Sequence, residues 1–271
     1  MFELLLLAVG MIAVMAALLG LVIGLAARVF AVEGDPRVEA VAELLPGANC
    51  GGCGFAGCAD LAKALVAGAA SPAACPVCSS LARGKIAGLL GLAGGAVVRR
   101  VALVRCGGDY DKAKFKAKYN GVSDCKSAAL VASGAKGCGH GCLGLGSCAR
   151  ACPFGAIEVA NGLAVVHPRL CVGCGKCVEA CPKKLIKLVP ESAKVHVLCN
   201  SPEKGAAKRK VCEAACVGCR KCAKVAGEGQ VRVNGFLAEV NYVDPPHPGL
   251  VDAVGCRTVR QALTGREEEA A

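Results

Sequence analysis

The rhythm of apolar and polar positions changes several times along the chain. Residues 4–27 contain neither a charge nor a proline. As a helix such a run is about 36 Å long, enough to cross a hydrocarbon core of roughly 30 Å, so it predicts a transmembrane helix. A secretory signal would begin with positive charge, whereas only Glu3 precedes the run and Arg28 follows it. That charge bias predicts a single-pass anchor in the cytoplasmic membrane with the bulk of the chain on the cytoplasmic side. Val38, Val41 and Leu44 then recur at spacings of three and predict a short helix over 36–46, stopped by Pro46-Gly47. A second short helix is expected over 60–67. Residues 84–98 are almost all Gly, Ala, Leu and Val with one lysine, Lys85. They are too few and too rich in glycine for a second span and read as a flexible or loosely packed connection. It leads to a short strand at 101–104, and the charged interval 109–118 is expected to face solvent. Two β-hairpins follow, one of 156–159 and 163–166 about Asn161-Gly162, the other within 231–240 about Asn234-Gly235. The charged tail from Arg266 onward is expected to fray.

Composition changes this picture in one respect. The 271 residues include six Phe, three Tyr and no Trp, but 36 Gly and 21 Cys. Large side chains are too few for a broad core, and cysteine-held inorganic clusters would take their place. The fold class expected is therefore α+β: a transmembrane helix, a small helical four-cysteine domain, then cysteine-rich modules with short β-hairpins.

The cysteine spacing selects the chemistry. Cys171-x2-Cys174-x2-Cys177-x3-Cys181-Pro182 is an iron–sulfur pattern in which three thiolates grip one cubane and the fourth reaches a second. It is preceded by Cys138-x3-Cys142-x5-Cys148-x3-Cys152-Pro153. Crossing over the last cysteine of each half gives two sets, Cys138, Cys142, Cys148 and Cys181, and Cys152, Cys171, Cys174 and Cys177. Upstream, Cys50, Cys53 and Cys58 are interleaved with glycines, and Cys75 returns a fourth thiolate, with Cys78 as its rival. Downstream, Cys216, Cys219 and Cys222 begin another half-module, but Ala226 stands where its fourth cysteine would be. Cys256 would close that cage, with Cys212 as competitor. Cys106, Cys125 and Cys199 remain, either as buried thiols or as parts of an unusual site. The expected cofactors are thus [4Fe-4S] clusters, three plus a fourth, or about sixteen irons. Gly51, Gly52, Gly54, Gly139, Gly141, Gly173 and Gly175 are candidates for turning backbone amides toward the sulfurs.

Lys and Arg exceed Asp and Glu by 32 to 21, a net charge of +11. Each cluster with its thiolates adds about −2, so four would lower the total to about +3, which weakens any nucleic-acid reading. The basic residues gather at Lys183, Lys184, Lys187 and Lys194, then Lys204, Lys208, Arg209 and Lys210, then Arg220 and Lys221. They form either a solubilising surface or a docking face for an acidic electron carrier, with Lys183, Lys184, Lys187, Lys208, Arg209 and Lys210 as candidates. No Gly-x-Gly-x-x-Gly lies between a strand and a helix, no phosphate loop is present, and the four histidines share no ligand spacing, so no catalytic site for NAD is expected on this chain.

Taken together, residues 1–30 read as the anchor, 36–82 as the four-cysteine domain, 83–136 as a connecting region, 137–190 as a two-cluster ferredoxin module, 191–262 as a degenerate module with one cluster, and 263–271 as the tail. The Cys50, Cys53, Cys58 and Cys75 motif after a membrane helix, the phrase 137–148 and the path through Gly121 to Cys125 resemble the B-subunit family of the Rnf complex, an ion-pumping ferredoxin:NAD oxidoreductase. That resemblance implies an electron-transfer subunit that takes electrons from soluble reduced ferredoxin and passes them to membrane and peripheral subunits. It implies NAD reduction on another subunit. The alternatives are an iron–sulfur subunit of another membrane redox complex, a related complex that reduces a redox-sensing transcription factor, and a structural zinc protein.

Overall fold

In the computed structural model, residues 2–29, 35–92 and 97–261 are described. Helix α1 (Phe2–Val29) contains the stretch Val9–Ala26, with mean hydropathy 2.6 and none of it buried against the rest of the protein. It is long and apolar enough to cross a membrane.

A small helical unit follows. Helix α2 (Pro36–Leu44) opens with Asp35, whose carboxylate accepts from the Arg37 N–H, and with proline in its first turn. It stops two residues before the expected end because Leu45 precedes Pro46 and takes an extended conformation. Helix α3 (Cys58–Val66) starts at the cysteine itself, and a 3₁₀ turn (Pro72–Ala74) brings the chain back to Cys75. Val41, Leu45, Leu61, Leu65 and Ile86 form the core of this unit. Ile86 lies on helix α4 (Ser80–Leu90), which corrects the reading of 84–98 as a loose connection. The Ser79 hydroxyl accepts from the Ala82 N–H, and Gly91 at φ +64° ends the helix. A cap and a left-handed stop outweigh the low helix preference of Gly84 and Gly88. Residues 93–96 of that stretch, like the tail from 262 onward, lie outside the described residues.

The remainder builds two units of the same order. In the first, β1 (Arg100–Val104) is followed by α5 (Cys125–Leu130), α6 (Ser147–Arg150), the hairpin β2 (Ile157–Ala160) and β3 (Leu163–Val166), α7 (Lys176–Ala180) and β4 (Ile186–Pro190). Strand β1 pairs antiparallel with β4, Ala102 opposite Leu188, so the ends of the unit are tied together. In the second, β5 (Val195–Val197) is followed by α8 (Gly205–Val211), α9 (Lys221–Val225), the hairpin β6 (Val231–Asn234) and β7 (Leu237–Val240), α10 (Leu250–Val254) and β8 (Val259–Gln261). Strand β5 pairs antiparallel with β8. Discounting α5 and α8, each is a β-α-β-β-α-β ferredoxin-like arrangement.

The first hairpin turns on Asn161 and Gly162 as expected, both at positive φ (48° and 67°). The second turns one residue later than expected. Asn234 pairs with Leu237, which leaves Gly235 and Phe236 in the loop, with Gly235 at φ +57°. The interval 109–118 is not uniformly solvent-facing: Asp109 and Ala113 are buried, and the chain bridges at Ala113 to Cys212 and at Phe115 to Lys136.

Candidate functional site

One short loop recurs three times and organises the cysteines. It reads Cys142-Leu-Gly-Leu145, Cys171-Val-Gly-Cys174 and Cys216-Val-Gly-Cys219. Its glycines Gly144, Gly173 and Gly218 have nearly the same left-handed φ of 73°, 70° and 71°. Two residues on, Gly146, Gly175 and Arg220 are again left-handed and lead into α6, α7 and α9. Glycine is required at the first position for space as well as for φ. A Cβ on Gly144 would lie 2.4 Å from the Gly162 carbonyl oxygen, on Gly173 2.5 Å from that of Arg100, and on Gly218 2.6 Å from the Phe236 Cα.

In this register Leu145 occupies the place of the middle cysteine, Cys174 or Cys219. The first loop therefore lacks a ligand, and another cysteine stands in the cavity it faces. Cys125, Cys142, Cys148 and Cys181 line one small apolar cavity together with Val104, Leu185 and Ile186. Cys138, which spacing groups with Cys142, Cys148 and Cys181, does not line it. The sequence holds a signal for this: counted back from Cys152-Pro153, the triplet positions are 148, 145 and 142, as 177, 174 and 171 are from Cys181-Pro182.

The other sets lie as follows. Cys171, Cys174, Cys148 and Cys152 are all neighbours of Cys177, and the crossed-over spacing is what groups Cys152 with Cys171, Cys174 and Cys177. Cys216, Cys219, Cys222 and Cys256 line one cavity of about 270 Å³, while Cys212 does not line it. In the helical unit, Cys75 accepts from the Val77 and Cys78 N–H groups and has Cys53 and Cys50 as neighbours. Cys78 is buried and lines a cleft with Gly52, Pro76 and Arg83. Backbone amides also reach the sulfurs of Cys171 (from Ala102, 3.3 Å), Cys152 (from Ala156, 3.4 Å), Cys181 (from Leu185, 3.4 Å) and Cys216 (from Ala238, 3.5 Å). Such N–H···S bonds stabilise thiolate over thiol.

All 21 cysteines are free of disulfides. Burial, foremost, and then neighbouring thiolates push Cys177 up to about 12 and Cys148 up to about 11. Bunched buried thiols hold their protons until an electrophilic metal displaces them. Among the described residues, no three His, Cys, Asp or Glu groups close tightly enough round a single ion. The cysteines ring cavities, a space that a polynuclear cluster bridging several thiolates can fill.

The sites abut one another. A Cβ on Gly52, between Cys50 and Cys53, would lie 2.8 Å from the carbonyl oxygen of Cys174 and 3.1 Å from its Cβ. The Cys148 thiol is a neighbour of Cys177 across the α6 and α7 pair. Of the candidate docking cations, Lys184, Lys187, Arg209 and Lys210 are exposed. Lys208 is not available for docking: it is 1% exposed, and its ammonium donates to the carbonyls of Ser201 and Phe236. Lys183 is half-buried and donates to the Gly139 carbonyl at 2.8 Å.

Comparison with known proteins agrees with this cysteine architecture. Residues 45–77 match the family described as "Putative Fe-S cluster", and residues 135–182 and 170–233 each match a 4Fe-4S dicluster domain. The B subunit of the ion-translocating oxidoreductase complex of Methanosarcina acetivorans is 45% identical over 234 residues, 85% of this chain and 89% of that protein. The B subunit of the proton-translocating ferredoxin:NAD(+) oxidoreductase complex of Clostridium ljungdahlii is 42% identical over 237 residues, 85% of this chain and 84% of its own. The Na(+)-translocating counterpart of Acetobacterium woodii is 42% identical over 217 residues, 80% of this chain and 65% of that longer protein. With 4Fe-4S domains in place and relatives this similar over most of its length, the chain belongs to the Rnf family of ion-translocating oxidoreductase complex B subunits.

Proposed function

We propose that this chain is the membrane-anchored electron-transfer subunit of an ion-translocating ferredoxin:NAD oxidoreductase complex, receiving single electrons from reduced ferredoxin. Helix α1 would cross the cytoplasmic membrane once and hold the cysteine-rich remainder at its cytoplasmic face. Four ligand sets are assigned: Cys50, Cys53, Cys58 and Cys75; Cys152, Cys171, Cys174 and Cys177; Cys125, Cys142, Cys148 and Cys181; and Cys216, Cys219, Cys222 and Cys256. Bound [4Fe-4S] clusters supply a one-electron redox couple at each set. The protein's own part is to hold the thiolates, exclude water with Val104, Ile186 and Leu185, and aim amides at the sulfurs. NAD chemistry and ion movement belong to partner subunits.

The observation that carries this reading is the packing of the Cys50–Cys53 loop onto Cys174. Sites in such contact lie within tunnelling reach of one another, as an electron relay requires. Lys184, Lys187, Arg209 and Lys210 are the remaining candidates for steering an acidic donor. The test is anaerobic mixing of the full-length chain, in its complex, with reduced ferredoxin. Visible bleaching of the iron–sulfur absorbance should follow, and glutamate at those four positions should slow it most at low salt. Material that bleaches with dithionite but never with ferredoxin would remove the donor assignment.

A further inference from the structure

Five cysteines stand outside those four sets, and four of them meet. Cys106 follows β1, Cys138 precedes the first repeated loop, Cys199 follows β5, and Cys212 follows α8. All four line one cavity between the two ferredoxin-like units. Its volume is about 30 Å³, against about 20 Å³ for the cavity of Cys125, Cys142, Cys148 and Cys181. The backbone is cut away for it. The point where a side chain on Gly108 would begin lies 3.1 Å from Cys212 Sγ and 3.8 Å from Cys106 Sγ. The same point on Gly141 lies 3.6 Å from Cys138 Sγ and 3.7 Å from Cys106 Sγ.

A second observation is independent of the cysteines. Three cations are buried in the cavity wall: Arg105, Lys136 and Lys208 are 7%, 3% and 1% exposed. Lys136 donates to the carbonyls of Gly108 (2.7 Å) and Gly162 (2.8 Å), and Lys208 to those of Ser201 (2.9 Å) and Phe236 (2.7 Å). Arg105 pairs with Glu239 at 3.1 Å. Carbonyl dipoles solvate an ammonium but do not neutralise it, and buried charge is costly without a counter-ion. A tetrathiolate cubane of net charge about −2 is a counter-ion of suitable sign.

We infer that Cys106, Cys138, Cys199 and Cys212 ligate a fifth [4Fe-4S] cluster, seated between the two ferredoxin-like units; this rests on the reading of the other four sets as cluster sites. It joins what they leave apart. The Cys142 N–H donates to Cys106 Sγ at 3.4 Å, and Ala215 lines both this cavity and that of Cys216, Cys219, Cys222 and Cys256. One electron leaving the Cys142 site would reduce this one as the first is oxidised, then pass on, with no proton or bond exchanged. Twenty of the 21 cysteines are then ligands, and Cys78 is the one left over.

The test is iron and acid-labile sulfide in the anaerobically purified full chain, together with native mass spectrometry of the unmutated protein, which needs no variant to fold. About twenty irons are expected. The double variant Cys199→Ser/Cys212→Ala should lose about four irons and one EPR signal, leaving the other signals unchanged, and Cys78→Ser should lose none. Lys136→Met should move the midpoint potential of one signal alone to a lower value. Sixteen irons in the unmutated chain, with the double variant unchanged, would overturn the fifth site while leaving the other four. Absence of iron and sulfide altogether would instead overturn the reading of the whole chain.

Discussion

Residues 100–190 and 195–261 follow the same path, yet they fill one half of the space between their helices differently. In the first unit, α6 and α7 each carry a cysteine, Cys148 and Cys177, and each is followed by a Cys-Pro step. In the second unit, α9 keeps Cys222, but Ala226 replaces the following cysteine and α10 carries only Leu250, Val251 and Val254 on its apolar side. Those residues pack with Ala226, Val233 and Val240. Ordinary aliphatic burial thus stands where the matching half of the first unit has thiolates, and the closing strand pair survives the exchange. Hairpin, glycine loop and terminal strands carry the fold. A cluster site is one of two fillings that the fold accepts, and the filling is decided by a few side chains.

The sharpest way to break this comparison is to move a ligand. Cys125→Ser should cost the first unit about four irons. Adding Leu145→Cys, which places a thiol in register with Cys174 and Cys219, should restore them by iron analysis. If the second change restores nothing, the equivalence of the three loops is wrong. Next in size is Gly218→Val. It combines a left-handed φ with a backbone clash and should lose the second unit's four irons and more than about 3 kcal/mol of stability in chemical denaturation, leaving the iron of the first unit in place. Gly229→Val, at left-handed φ but with open space around it, should cost only about 1–2 kcal/mol.

A smaller effect concerns acid. His196 on β5 is buried beside Tyr242, and desolvation lowers its pKa from 6.5 to about 4. The folded unit holds it neutral, so the unfolded chain binds a proton first as pH falls. The stability it preserves is full above about pH 6.5 and is lost on the way down to about pH 4, roughly 3 kcal/mol in all. Denaturation midpoints measured across that interval should fall for the native chain and flatten for His196→Gln. Smallest of all, Ala226→Cys should add no iron, because the other three ligands of that half are absent, and should change stability by less than about 1 kcal/mol.

Much of this is legible in the sequence where ligands or pattern are local. The apolar run, the Asn161-Gly162 turn and the Cys171 to Pro182 motif each lie within a short window, so spacing alone carries them. What escapes is non-local or masked. The pairing of β1 with β4 joins residues 82 to 90 positions apart and leaves no periodic trace. Cys125 comes to the cavity of Cys142, Cys148 and Cys181 from a different helix, and its place there is foreseeable only when Leu145 is recognised as the missing member of a triplet. Lys208 reads as one more surface cation in a basic run, but the helix that carries it turns that one side chain inward while Arg209 and Lys210 stay exposed. Helix α4 is hidden by glycines that the Ser79 cap and the Gly91 stop outweigh.

The distances along the chain between thiols that share a cavity also set a timetable for synthesis. Cys50 to Cys75 emerge from the ribosome within a few turns of chain, so their metal can be installed early and locally. Cys106 and Cys212 bracket nearly the whole first unit, and the loop they close cannot form until translation has passed α8. Maturation of that interior cage therefore comes late, and a chain truncated before residue 212 would leave Cys106, Cys138 and Cys199 waiting for a partner, open to oxidation in the meantime.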